Sequence, residues 1–144
     1  MKTHKIVSVF SAVFIVMLCV LLFTACQRFV RIEANQVERI AVWTQNMEEC
    51  ELNVDDSAKF IELFNSSKYE GRGTGEGGTA EFGICVYFCD GTYLRANDFG
   101  CLGRDFEVSL HDSDGNKKEW YYVNSEELYT FVSELADKST ELSG

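Results

Sequence analysis

From residue 37 onward, apolar and polar positions alternate in short runs separated by turn residues. Val37-Glu38-Arg39-Ile40-Ala41-Val42-Trp43 is β-branched and aromatic enough for a strand. Cys50, Leu52 and Val54 alternate with Glu51 and Asn53, which predicts a second strand in a hairpin with the first. Asp55-Asp56-Ser57 then offers N-cap candidates, and Ala58, Ile61, Leu63 and Phe64 share one face of a helix to about Ser66. Residues 82–89 form a strand whose even positions are all large and apolar, and residues 92–97 return across Asp90-Gly91. A two-residue turn would set Phe88 against Tyr93 and Val86 against Arg95. A three-residue loop, Cys89 to Gly91 with a bulge at Gly91, sets Phe88, Val86 and Ile84 beside Thr92, Leu94 and Ala96. The second register gives one apolar face and leaves Cys85, Tyr87, Tyr93 and Arg95 on the other. Phe106, Val108 and Leu110 alternate with Asp105, Glu107, Ser109 and His111, and residues 118–123 return after the Asp114-Gly115 turn. Asn124 and Glu127 are spaced as a capping box, and Val123 can staple against Leu128. Leu128, Phe131, Val132, Leu135 and Ala136 fall at i, i+3, i+4, i+7 and i+8, the clearest amphipathic pattern in the chain.

The order β-β-α-β-β-β-β-α has no strand-helix-strand alternation of the parallel kind. It predicts an α+β fold, an antiparallel sheet of about five to six strands with two helices packed on it. The single domain spans residues 37–138, with a polar tail at 139–144.

The start of the chain is different in kind. Residues 1–5 are short and basic, and residues 6–23 are uncharged, broken only by Ser8 and Ser11. This is an export segment. Its length falls between a signal peptide and a membrane span, and Lys2 and Lys5 on one side face Arg28 and Arg31 on the other, so neither length nor charge chooses between the two. Phe23-Thr24-Ala25-Cys26, with Leu21 and Leu22 just upstream, resembles the lipobox of bacterial lipoproteins, although Phe23 stands where Leu is usual. The resemblance covers only the first 26 residues. It implies that residues 1–25 are a removed signal peptide, that Cys26 carries a diacylglycerol, and that residues 26–36 are a lipidated cysteine with a short tether. The expected location is the bacterial cell membrane, lipid-anchored, with the domain on the extracytoplasmic side. The alternative is an uncleaved anchor helix in which Cys26 is incidental.

Charge narrows the partners. The first 25 residues hold Lys2 and Lys5 and no acid, leaving 11 basic against 23 acidic residues and a net of −12 for the remainder. Such a surface repels phosphate backbones, which excludes nucleic acid, and favours cations or basic protein patches.

Candidate chemistry is sparse. Cys50, Cys85, Cys89 and Cys101 on an exported protein invite disulfides. Cys85 and Cys89 lie four positions apart on one predicted strand, about 13 Å, beyond the roughly 7 Å limit for a bridge. Cys89 at the hairpin tip is also far from Cys101 at the other end, which leaves Cys85 with Cys101 and Cys50 with Cys89, against four free, partly buried thiols. Paired zinc knuckles and a C-x-x-C redox motif are absent. Gly73, Gly75 and Gly78 match G-x-G-x-x-G, but follow a helix and precede a strand, the reverse of a dinucleotide site. Asp112-Ser113-Asp114-Gly115-Asn116 opens like a calcium loop, yet Lys117 stands at the sixth position and Val123 at the twelfth. His111, the only histidine after the export segment, lies opposite the buried face of its strand. Glu48, Glu49, Glu51, Asp55 and Asp56 have no spacing that singles out an acid and a base. Trp43, Trp120, Tyr121 and Tyr122 could form an aromatic surface, with alternation sending Trp120 and Tyr122 to one face and Tyr121 to the other.

These readings predict a surface lipoprotein whose small acidic domain is non-catalytic and binds a protein, peptide or envelope ligand, with no cofactor and no metal. A thiol-dependent or other enzyme acting through Cys85, Cys89, Cys101 or His111, and an uncleaved anchored sensor or complex subunit, are the alternatives.

Overall fold

β-branched and aromatic side chains hold β1 (Val37–Thr44) extended, after one turn of 3-10 helix at Ala34–Gln36. The computed structural model describes residues 30–45, 49–72, 79–99 and 105–143. Arg31–Gly144 make up one compact unit. β2 (Glu49–Glu51) pairs antiparallel with β1, setting Cys50 opposite Val42. The expected second strand stops there. Asn53 accepts the Asp56 backbone N–H at 2.9 Å, and Val54 opens α1 (Val54–Ser66). The cap therefore stands two residues before the Asp55-Asp56-Ser57 candidates, and Asp55 and Asp56 occupy the first turn, where the helix dipole favours carboxylates.

Five further strands and one helix follow: β3 (Lys68–Arg72), β4 (Phe82–Phe88), β5 (Tyr93–Asp98), β6 (Asp105–His111), β7 (Lys117–Asn124) and α2 (Glu126–Ser143). All pair antiparallel, in the order β2-β1-β4-β5-β6-β7-β3. The sheet has seven strands where about five to six were expected. The unforeseen one is β3, Lys-Tyr-Glu-Gly-Arg, an edge strand with a bulge before Gly71 at φ 112°. An exposed edge needs no apolar alternation, and its charges discourage pairing with another chain.

The β4–β5 register is the three-residue-loop one. Ile84 faces Ala96 and Val86 faces Leu94, the Phe88 N–H donates to the Thr92 carbonyl at 2.9 Å, and Gly91 takes φ 85°. The capping box is displaced. Asn124 ends β7, and Ser125 caps α2 by accepting the Leu128 N–H at 3.2 Å. α2 also continues through residues 139–143, with Ser139 buried.

Both helices pack on one face of the sheet. Phe60 and Phe64 of α1, and Leu128 and Val132 of α2, are fully buried with Ile40, Val42, Ile84, Val86, Leu94 and Val108. α2 touches β1, β4 and α1, and Tyr129 packs its ring on Phe82 and Phe106. The entry to the domain is pinned by Asn65, which accepts the Ile32 N–H and donates to the Ile32 carbonyl, each at 2.9 Å. Among the described residues no helix is long and apolar enough to cross a membrane. Residues 1–29, including the expected export segment and Cys26, lie outside them.

Candidate functional site

Residues directly opposite in an antiparallel pair point to the same side, so register alone maps the face that carries no described helix. Three rows cross it. The first is Glu49, Trp43, Gly83, Asn97, Glu107 and Tyr122; the second is Glu51, Ala41, Cys85, Arg95, Ser109 and Trp120; the third is Arg39, Tyr87, Tyr93, His111 and, past a bulge, Lys117. Small residues form the middle of the floor and large planar groups stand around them.

The third row is a run of planar groups in contact, ending in a stacked pair. The Arg39 guanidinium lies 3.7 Å from the centroid of the Tyr87 ring, Tyr87 lies 5.9 Å from Tyr93, and Tyr93 stacks on His111 at 4.5 Å with 4° between the planes. Glu49 fixes its outer end, accepting the Tyr87 hydroxyl at 2.6 Å and Arg39 Nη1 at 3.1 Å. Burial and that hydrogen bond push the Tyr87 phenol up to about 12.

In the second row Arg95 lies over Trp43, 4.8 Å from the ring, and donates from Nε to Asn97 Oδ1 at 3.1 Å. Lys117 Nζ sits 3.8 Å from the Trp120 ring centroid. Trp43 can lie flat because its neighbour is Gly83. A Cβ there would stand 2.5 Å from the Ala96 carbonyl oxygen and 2.6 Å from Trp43 Nε1. Phe99 closes over Tyr122 at 5.0 Å. The indole nitrogens of Trp43 and Trp120 are both buried and have no hydrogen-bond partner.

The candidates named from sequence distribute as follows. Cys85 lies at the centre of this face, buried, and burial pushes its thiol up to about 11 even though the Arg95 charge acts the other way. It is a neutral thiol at physiological pH. Among the described residues Cys50, Cys85 and Cys89 carry free thiols. Cys50 is level with Ile84 two strands away, and Cys89 lies five residues further along, so the two are separated by roughly 16 Å along the strand direction and about 10 Å across it. A bridge between them is out of reach. Cys101, the partner expected for Cys85, lies outside the described residues, as do Glu48 and Gly73, Gly75 and Gly78.

His111 has both ring nitrogens engaged, Nδ1 with the Gly115 carbonyl at 3.2 Å and Nε2 with Ser109 Oγ at 2.9 Å, and so acts as a staple for the β6–β7 turn. The same turn is held by Asp112, which accepts the Asn116 N–H at 2.8 Å and Lys118 Nζ at 2.7 Å; these donors lower its carboxyl to about 2. The calcium-loop resemblance is thus taken up by a hairpin, and no group of metal-ligating side chains gathers among the described residues. Asp55 and Asp56 belong to the first turn of α1 and Glu51 to the sheet edge. The aromatic set divides as alternation requires, with Trp120, Tyr122 and Trp43 here and Tyr121 buried on the helix side.

Sequence reasoning had Tyr87, Tyr93 and Arg95 on one face but not Trp43 and Arg39 beside them. That needed the pairing of β1 with β4, which joins strands separated by a helix and two other strands. No protein-family model, curated protein or solved structure matches the chain. The face therefore has to be read from its own chemistry.

Proposed function

We propose that this chain is an exported lipoprotein, anchored through a diacylglycerol on Cys26 at the bacterial cell membrane, whose extracytoplasmic domain is a non-catalytic binding module with the face that carries no described helix as its ligand site. The carrying observation is that face: both tryptophans of the chain, three more aromatic rings and two arginines around a floor of Ala41, Gly83 and Cys85. Catalysis is disfavoured by the state of its best nucleophile and base. Cys85 is held as a neutral thiol, and His111 has its two nitrogens engaged by the Gly115 carbonyl and Ser109 Oγ. The lipid anchor rests on the lipobox-like Phe23-Thr24-Ala25-Cys26 and the uncharged run before it.

Two experiments test the two halves. The N-terminal peptide of protein extracted from its host's membranes should begin at a diacylglyceryl-modified Cys26; a chain retaining residues 1–25 would replace the lipid anchor with a helix. Titration of the full chain in uncharged detergent with fractionated envelope extract should change tryptophan emission saturably, because both tryptophans lie on the proposed site. Cys85→Ser should keep that response. Its loss in Cys85→Ser would favour a thiol-dependent activity, and no saturable response in any fraction would remove the face as a ligand site.

A further inference from the structure

Resting on the reading of the face that carries no described helix as a ligand site, we infer that Arg95 takes the carboxylate of a peptide ligand there, with the indole N–H groups of Trp43 and Trp120 as flanking donors. The first ground is an imbalance of charge. The chain has 23 acidic and 13 basic residues, and Arg39, Lys59, Lys68 and Lys118 each hold a carboxylate. Arg95 holds none. It is half-buried in the middle of the second row, and its one hydrogen bond goes to the neutral amide of Asn97 through Nε. Removing a guanidinium from water without a counter-charge is costly, and a chain with this excess of acids had carboxylates to place there. Glu107, opposite Asn97 and so diagonal to Arg95, lies on the same face, and the two form no ion pair.

The second ground is the kind of polar group left without a partner. Trp43 is 4 % exposed with its Nε1 unpartnered, and Trp120 Nε1 is likewise buried and unpartnered. Buried donors normally find acceptors. The two terminal nitrogens of Arg95 likewise make no hydrogen bond, so several donors on this face stand without a partner. A ligand that matches must bring oxygen atoms.

The third ground is the orientation of Arg95. Its guanidinium carbon lies over the Trp43 ring at 4.8 Å and its Nε is held by Asn97, so the directions open to the fork of the two terminal nitrogens are restricted. That fork fits the two oxygens of a carboxylate. A peptide supplies the rest, because its backbone carbonyls can accept from the indoles and its side chains can lie on Tyr87, Tyr93 and Tyr122. A polyanion fits less well, since the surrounding molecule carries a net charge of −10 and offers one unpaired arginine here.

The test follows the two indole N–H signals by NMR in the full chain in uncharged detergent. The probes are an acetylated tri-alanine with a free C-terminal carboxylate, the same peptide as its amide, and inorganic phosphate. The free carboxylate should move the Trp43 and Trp120 signals saturably, the amide should bind roughly ten-fold more weakly, and Arg95→Gln should lose about the same factor, as expected for one charge-assisted hydrogen-bonded pair. Arg95→Lys, which keeps the charge but not the fork, should fall between, and Asn97→Ala should weaken binding with the fold intact by its unchanged melting temperature. Equal response to acid and amide, or retention of affinity by Arg95→Gln, would overturn the carboxylate assignment while leaving the face as a peptide site. Tighter binding of phosphate would reassign Arg95 to a phosphate-bearing ligand. No movement with any probe, alongside a saturable response to envelope extract, would overturn peptide carboxylate recognition and keep the wider function.

Discussion

Asp98 shows how one residue can carry a cost that the fold tolerates. It ends β5 on the helix side, 4 % exposed, with Oδ1 unpartnered, and burial together with the nearby charge of Glu81 pushes its carboxyl above the ordinary range. The sign follows directly. A carboxyl whose folded-state value is raised binds its proton more tightly in the folded chain, so the charge penalty is absent below the unfolded value near pH 4 and grows as pH rises through the raised one. Asp98→Asn removes the charge and keeps the shape. The difference in melting temperature, variant minus parent, should therefore climb in the variant's favour between about pH 3 and pH 7. A difference that is flat with pH would mean that the carboxylate finds compensation in solution.

At the scale of elements, Asn53 decides where strand gives way to helix. Its side chain accepts the Asp56 N–H and donates to the Asp56 carboxylate at 2.7 Å, while its carbonyl accepts the Ser57 N–H at 3.0 Å. Asn53→Ala should cost about 1 kcal/mol and lower the melting temperature by roughly 4 °C, whereas Asp55→Ala should cost clearly less in the same thermal melt. Equal losses would show that the dipole, not the cap, sets this boundary. The example also explains what could be read in advance. The β4–β5 hairpin was legible because one register alone gathers Ile84, Val86 and Phe88 with Leu94 and Ala96, and that same register placed Tyr87, Tyr93 and Arg95 together on the opposite face. The Asn53 and Ser125 caps were missed by one or two residues, since Asn, Asp and Ser crowd both boundaries and only geometry separates them. β3 was invisible because Tyr69 is its one large apolar residue and it sits at an edge. Trp43 and Arg39 could not be assigned to the candidate site, because no local pattern encodes the adjacency of β1 and β4.

For the whole molecule, charge has opposite consequences for stability and for binding. The net charge is −10, and α2 alone carries Glu126, Glu127, Glu134, Asp137 and Glu141 against Lys138, with Asp137 and Glu141 one turn apart. Like charges so placed repel, and the repulsion is felt by the folded chain more than by the expanded one. Raising sodium chloride from about 10 mM to about 200 mM shortens the screening length from roughly 30 Å to roughly 7 Å, so the melting temperature of the full chain in uncharged detergent should rise, most of the gain arriving by the upper concentration. The carboxylate-bearing peptide should respond the other way, its affinity falling over the same range, because the attraction to Arg95 is screened by the same ions. A melting temperature that falls with salt would show that attractive pairs such as Arg39–Glu49 and Lys118–Asp112 outweigh the acidic surplus. The two curves, recorded on one sample, separate the field of the whole protein from the local charge around Arg95.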